Sequence, residues 1–188
     1  MRLILASRSA DRLQLLREAG YEVEAFPADV DEPPLADCAD LEAGLVQIAL
    51  SKAHAVWQRG ARGLILAADT VGLVVGKVYG KPVDRDDARR MLLAISGTTH
   101  EVLTGWCLVR SRDQLQLSGV ERTTITMRPW TEGEVVAYLD SGAWMGKSGA
   151  YALQIPDDPF VTAIAGSQSN VVGLPLERLR EVLAELQQ

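Results

Sequence analysis

Short unbroken apolar runs alternate along this chain with stretches of helical spacing. Residues 2–6, RLILA, form the first run and predict a strand. Leu13, Leu15, Leu16 and Ala19 then share one helical face that ends at Gly20. Tyr21 to Ala25 alternates and predicts a second, edge-like strand. Asp40 to Arg59 is the clearest helix, because Leu41, Leu45, Ile48, Ala49, Ala53, Val56 and Trp57 approximate a 3.6-residue stripe. Leu64 to Ala68 carries no charge on either face and predicts a strand buried on both sides. Asp84 to Ile95 is a second amphipathic helix, with Ala88, Met91, Leu92 and Ile95 inward and Asp84 or Asp86 as its cap. Glu101 to Val109 and Gln114 to Met127 read as a long antiparallel arm turning at Ser111-Arg112-Asp113. Thr131 and Glu134 have the form of a capping box and open a short helix through Leu139, ending near Gly142. Leu176, Leu179, Val182, Leu183 and Leu186 mark the last helix.

The chemistry gathers around the buried run. Asp69-Thr70 follows it at once, where a carboxylate at a strand end is well placed for ligands. The chain resumes through Val71 to Val75, turns at glycines and delivers Lys81-Pro82. An acid and a lysine at a sheet rim suit a metal-assisted phosphate reaction, although a turn cap and a solvated charge would read the same. Ser7, Ser9 and Arg12 lie where the first strand meets the first helix, whose N-terminus attracts anions. Ser9 as a plain N-cap fits equally well. Asp29, Asp31 and Glu32 precede a double proline and form either a solvated acidic turn or oxygen ligands for a hard cation. Lys52 edges the apolar stripe of its helix and either snorkels or enters a cleft. Lys147 to Gln154, KSGAYALQ, reads as a strand with its turn or as a nucleotide pocket wall. Residues 163–175, AIAGSQSNVVGLP, read as a turn rich in small residues and amides. His100, next to a turn, reads as a structural hydrogen-bonder, and no histidine metal site is expected.

Bulk composition changes the picture only a little. The 188 residues suit one domain, with 47% hydrophobic and 23% charged residues as in ordinary globular proteins. A net charge of -6 argues against a general nucleic-acid binder, though not against a nucleotide in a local basic pocket. Cys38 and Cys107 lack any ligand spacing, so a reduced cytosolic protein is the default. No apolar run is long enough to span a membrane, and residues 3–6 are too short for a signal core.

Taken in order, the pieces ILASRSxxR, VDE, SKA, AADT, GKP, SGTTH, KSGAYALQ and GSQSNVVGLPLE resemble the Maf family of nucleoside triphosphate pyrophosphatases. The resemblance runs from Leu3 to Glu177. It implies a single domain over residues 1–188. The fold would be α/β, a mixed elongated sheet with flanking helices and two lobes around a deep cleft, related to the inosine triphosphate pyrophosphatases. It implies a cytoplasmic homodimer that cleaves a nucleoside triphosphate to the monophosphate and pyrophosphate with Mg²⁺ or Mn²⁺. By the same resemblance Asp69 is the catalytic aspartate, which would accept the water proton, and Glu32 with Asp69 would hold the metal. Ser7, Arg12, Lys52 and Lys81 match the family's substrate-binding residues, Ser9 and Lys147 join them from the reading of the residues themselves, and Thr70 and Gln154 match the dTTP/UTP branch. One motif departs. The family form SPRR reads Ser9-Ala10-Asp11-Arg12 here, which puts an acid at a position tied to base choice. A modified purine triphosphate such as 7-methyl-GTP, or a non-catalytic nucleotide-binding regulator of septum formation, are the alternatives.

Overall fold

Three long strands, β3 (Leu64–Val74), β5 (Thr99–Arg110) and β6 (Leu115–Met127), run antiparallel to one another at the centre of one mixed sheet. Two short strands, β1 (Arg2–Leu5) and β2 (Glu22–Ala25), add to β3 in parallel, with β2 at the edge. β4 (Lys77–Tyr79) folds back on the end of β3, and β7 (Val161–Ala165) pairs with β6 at the opposite edge. The sheet order is β2-β1-β3-β5-β6-β7, with β4 beside β3. The computed structural model describes residues 2–35, 38–110, 114–154 and 157–186, so the turn expected at Ser111-Arg112-Asp113 lies outside the described residues.

Alternation along the strands decides which helix lies where. Leu64, Leu66 and Ala68 of β3 pack with Trp106 and Leu108 of β5 against α1 (Ala10–Glu18) and α6 (Leu176–Glu185). Farther along the same face, Val74, Ile125 and Met127 meet α3 (Arg85–Ile95) and α4 (Glu132–Ser141), with Trp130 stacked on Phe160 between them. Two helix clusters thus share one side of the sheet, and a cleft opens between them over Thr70 and Gly72. The opposite side is covered by α2 (Leu41–Gln58), through Ala49, Ala53 and Val56 on Ile65, Ala67 and Cys107. The crossing is close. A Cβ on Gly105 would stand 2.6 Å from the Leu45 backbone, so only glycine admits the helix there.

Asp84 and Thr131 open α3 and α4 as expected, the Thr131–Glu134 capping box forms in full, and Asp40 caps α2. Gly142 closes α4 in the left-handed conformation. Two expectations change. β3 does not stop before Asp69; it runs unbroken to Val74, because β5 pairs with it along its whole length down to Leu73. Residues 147–154 form a 3₁₀ turn at Ser148–Ala150 rather than a strand, with Gly149 at φ +70°. The small-residue stretch after residue 163 hides the end of β7 and a short helix, α5 (Gln168–Val172), capped by Ser167.

Candidate active site

The site is a gap in the sheet. β1 accompanies β3 from Leu64 to Leu66, and β4 pairs with it only from Gly72, opposite Tyr79, to Val74. Between these points, among the described residues, β3 has a strand neighbour on its β5 side alone. The Leu66 carbonyl still finds the Ala6 N–H, at 2.8 Å. The carbonyls of Ala68 and Thr70 face the same way by the two-residue repeat and need other donors. Side chains supply them. Arg12 Nη1 donates to the Ala68 carbonyl at 2.9 Å, and Ser148 Oγ donates to the Thr70 carbonyl at 2.7 Å.

Helix α1 aims the arginine. Ser9 caps it by accepting from the Arg12 N–H, which puts Arg12 in the first turn facing inward. Arg12 is 8% exposed. Its Nε donates to the Gly173 carbonyl at 2.8 Å, Nη1 also to Ser7 Oγ at 3.1 Å, and Nη2 to Thr70 Oγ1 at 2.8 Å. With the Ala68 contact, four of the five guanidinium N–H groups are spent on protein, leaving one on Nη2. Burial lowers the Arg12 pKa, opposed by the charges of Asp69, Glu32 and Asp11. Thr70 Oγ1 also lies 2.8 Å from Thr104 Oγ1, so the strand, the helix and the loop at Gly173 are tied at one point.

Asp69 projects to the α2 side of the sheet. There Lys52 Nζ sits 2.7 Å from Asp69 Oδ1 and 2.8 Å from Glu32 Oε1. Both Lys52 and Asp69 are largely buried, whereas Glu32 is half exposed at its side chain. Burial works to raise the Glu32 carboxyl. The Lys52 hydrogen bond and the charges of Lys52, Lys81 and Arg12 outweigh it and hold the group below its ordinary value. Lys81 is shifted down, first by burial and then by the like charge of Arg12, with Glu32 pulling the other way. An anion entering here would find cations whose charge the protein only partly balances.

Two connected chambers result. The smaller, about 120 Å³, is lined by Ser7, Arg12, Glu32, Lys52, Asp69 and Lys81. The larger, about 390 Å³, has one sheet face as its floor: Gly72, Val74, His100, Val102 and Ile125. Its walls are residues 8–12, 145–149 and 171–173. Arg8, Arg12, Thr70, Lys81 and Ser148 belong to both. Ser9, Asp11 and Lys147 line the larger chamber, and Lys147 Nζ donates to Asp11 across it. The structure therefore brings together Ser7, Ser9, Arg12, Lys52, Lys81, Lys147, Glu32 and Asp69, whereas Asp29 and Asp31 of the acidic turn line neither chamber and Asp29 pairs with Arg8 at the surface. Gln154 is apart: it is exposed, lines neither chamber, and its backbone N–H donates to Asp158 at 2.8 Å.

Three roles were not assigned from the sequence: the Ser148 bond to the Thr70 carbonyl, the Thr104 bond to Thr70, and the place of His100 on the chamber floor. Ser148 looked like part of a turn, and nothing in its neighbours marks the carbonyl it serves. Thr104 and His100 carried a usable signal, since alternation puts His100, Val102 and Thr104 on one face of β5. His100 is 6% exposed and burial pulls its pKa down to about 4, so the ring is neutral at neutral pH.

The donor set suits a divalent cation. Glu32 and Asp69 present hard oxygen donors close enough to share one ammonium, and Mg²⁺ is commonly held by one or two carboxylates with phosphate oxygens completing the shell. Among the described residues no group of three or more acidic, histidine or cysteine side chains gathers to form a site without the substrate.

Fold and site together define an α/β protein with a charged, phosphate-sized chamber opening into a less polar one. The Maf-like protein family, Maf, matches residues 2–186, and the chain belongs to the Maf family. A dTTP/UTP pyrophosphatase of Rhodopirellula baltica is 43% identical over 188 residues, covering 99% of this chain and 82% of that protein. A dTTP/UTP pyrophosphatase of an Anaeromyxobacter species is 42% identical, covering 97% of this chain and 88% of that protein. Among solved structures, the Ham1 protein of Staphylococcus aureus aligns with a TM-score of 0.48 at 12% identity, over 68% of this chain and 72% of that one.

Proposed function

We propose that this protein is a nucleoside triphosphate pyrophosphatase acting on pyrimidine nucleotides, dTTP and UTP foremost, and releasing the monophosphate and pyrophosphate. The observation that carries the reading is the pair of joined chambers: Asp69, Glu32, Lys52 and Lys81 in the smaller, and a roomier, less polar space beyond Thr70. The relatives named dTTP/UTP pyrophosphatase support the choice of base.

In this reading the triphosphate lies in the smaller chamber and the nucleoside over the sheet floor. A divalent cation, held by Glu32 and Asp69, would supply charge neutralisation and polarisation at the phosphates. Asp69 accepts the proton of the attacking water. The new P–O bond forms at the α-phosphorus, and the bond to the α–β bridging oxygen breaks. Pyrophosphate leaves with that electron pair. Lys52, Lys81, the Ser7 hydroxyl and the remaining Arg12 N–H receive the charge that builds on the departing oxygens. Lys52, fixed between two carboxylates, also sets where Asp69 sits. The helix α1 N-terminus adds its positive end.

Among the described residues no helix is long and apolar enough to cross a membrane. A homodimer and a cytoplasmic location belong to the proposal on the family resemblance alone.

The test is pyrophosphate release from dTTP, UTP, CTP and 7-methyl-GTP with Mg²⁺ or Mn²⁺, against an EDTA control. Metal-dependent turnover of dTTP and UTP is expected. Nucleotide binding without turnover of any of them would favour the regulator instead.

A further inference from the structure

His100 has no task in the chemistry described above, yet it stands on the floor of the larger chamber. The floor residues around it are Gly72, Val74, Val102 and Ile125. It lies four residues along β5 from Thr104, roughly 13 Å by the rise of a strand, on the same face. Thr104 is bonded to Thr70, where the two chambers meet. A nucleoside that starts at Thr70 and lies along the floor therefore brings its base edge toward His100.

The hydrogen bonds around His100 fix its tautomer. Thr98 Oγ1 donates its one proton to the Ile95 carbonyl at 2.8 Å. The same oxygen lies 3.3 Å from His100 Nδ1. With its proton committed, the oxygen can only accept, so Nδ1 carries the ring proton. Nε2 is then a bare acceptor, and among the described residues it has no protein donor. Nε2 is not sealed off, and His100 lines the chamber, so an acceptor is offered to whatever ligand lies there.

We infer that His100 is a specificity residue whose Nε2 accepts the N3–H of a uracil or thymine base. The inference rests on the nucleotide reading of the cleft and sharpens it. Uracil and thymine carry a proton on N3. Cytosine carries a lone pair there, which would face the Nε2 lone pair and leave both unpaired. Selection against cytosine follows from one fixed ring tautomer, set by Thr98 and Ile95. A site built to receive a hydrogen bond rejects an analogue that lacks the proton far better than an apolar pocket rejects an extra methyl group. The thymine 5-methyl group, by contrast, leaves N3 untouched, so dTTP and UTP are treated alike on this edge.

The experiment compares kcat/KM for UTP, 3-methyl-UTP and CTP in the unmodified protein and in His100→Phe. The unmodified protein should prefer UTP over both analogues by about 10- to 100-fold, the range one well-placed buried hydrogen bond provides. His100→Phe should lose that preference mainly by slowing UTP, with CTP changed little. His100→Gln, whose amide oxygen can reach the same edge, should recover part of it. Thermal unfolding of each variant separates a folding defect from a lost contact. Equal use of UTP and 3-methyl-UTP by the unmodified protein overturns the inference without any variant, and leaves the pyrophosphatase reading standing. A parallel fall for all three substrates in His100→Phe, with the fold intact, also overturns it and makes the ring a structural part of the floor. Silence toward every triphosphate defeats the nucleotide reading and this inference with it.

Discussion

The Arg12 guanidinium donates to Thr70 Oγ1 at 2.8 Å and, beside it, to the Ala68 carbonyl at 2.9 Å. It stands where a strand would otherwise pair with β3. An arginine in a phosphate-binding motif is easily taken for a ligand clamp, but here most of its fork completes the sheet. Arg12→Met would leave the buried Ala68 carbonyl without its donor and the Gly173 carbonyl with only the long 3.5 Å contact from the Thr70 hydroxyl. At about 1–3 kcal/mol for each, the expected loss is on the order of 3–5 kcal/mol, read from urea unfolding. Arg12→Lys should recover little, because one ammonium cannot reach Gly173, Ser7, Ala68 and Thr70 together. A loss below 1 kcal/mol for the methionine variant would mean that water replaces the guanidinium, and the arginine would return to the role of a free clamp.

Asp11 stands where the resemblance leads one to expect an arginine, and Lys147 answers it across the larger chamber. Both side chains are about one-third exposed or less, so the pair is partly screened by solvent. Its main effect is on the field in the cleft, since Asp11 cancels a cation that would otherwise face the incoming triphosphate. Asp11→Asn should therefore lower KM for dTTP by about two- to five-fold at low ionic strength, with kcat little changed. The gain should fade as salt is raised. A KM that does not respond to salt in either protein would show that Lys147 lies beyond reach of the phosphates.

Most of the fold was legible from periodicity. The clean stripes at Leu41 to Trp57 and at Ala88 to Ile95 name their helices, and a capping acid marks where the second starts. The runs RLILA and LILAA name the strands that end up buried on both faces. What hid was set by tertiary pairing. Asp69-Thr70 breaks an apolar run in sequence, yet β5 pairs straight past it, because hydrogen bonding to a neighbour overrides local polarity. Residues 161–165 and 168–172 are too short and too small-sided to announce a strand and a helix. The site was legible as residue types, because lysines and carboxylates on apolar elements are conspicuous. Their geometry was not. Nothing local says that Lys52 bridges Asp69 to Glu32, that Ser148 caps a strand carbonyl, or that Thr98 sets the protonation of His100.

The two thiols should behave as opposites. Cys38 is exposed, whereas Cys107 is buried under α2 and its pKa is pushed up to about 12, mainly by burial. A thiolate is the reactive form, so the folded protein should titrate one thiol quickly with a disulfide reagent and the second only on unfolding. Two fast equivalents under native conditions would mean that α2 lifts off the sheet readily.

His100 gives the protein a stability slope in mild acid. Its pKa is near 6.5 when unfolded and about 4 when folded, because burial disfavours the charged ring. Between those values the unfolded chain binds a proton that the folded chain refuses, so stability falls as pH falls. The loss should total on the order of 3 kcal/mol by pH 4, and none of it is felt above about pH 7. Glu32, held below its ordinary value by Lys52 despite its burial, adds a loss that begins only below its unfolded value of 4.5. Denaturant melts of the unmodified protein and His100→Phe between pH 7 and 5 isolate the histidine. The variant should be nearly flat there, and equal slopes in both would place the titrating group elsewhere.

Asp69 and Lys52 separate chemistry from assembly. Asp69→Asn keeps the shape and an oxygen toward Lys52 Nζ but removes the proton acceptor. Turnover of dTTP should fall by about 10²- to 10⁴-fold, the range that loss of a general base costs. Equilibrium binding of the nucleotide should change far less, since Lys81, Ser7 and the α1 terminus are untouched. Lys52→Met acts differently. It leaves Glu32 and Asp69 facing each other without the ammonium that now lies 2.8 and 2.7 Å from them. That repulsion should lower thermal stability, and a divalent cation should restore part of it by taking the ammonium's place. Stabilisation by Mg²⁺ or Mn²⁺ in Lys52→Met, absent when Glu32 is also changed to Gln, would place the cation between these two carboxylates. A melting temperature indifferent to metal in both variants would mean the cation reaches the site only with the nucleotide. The carboxylates would then act on phosphate-bound metal and not as a site of their own.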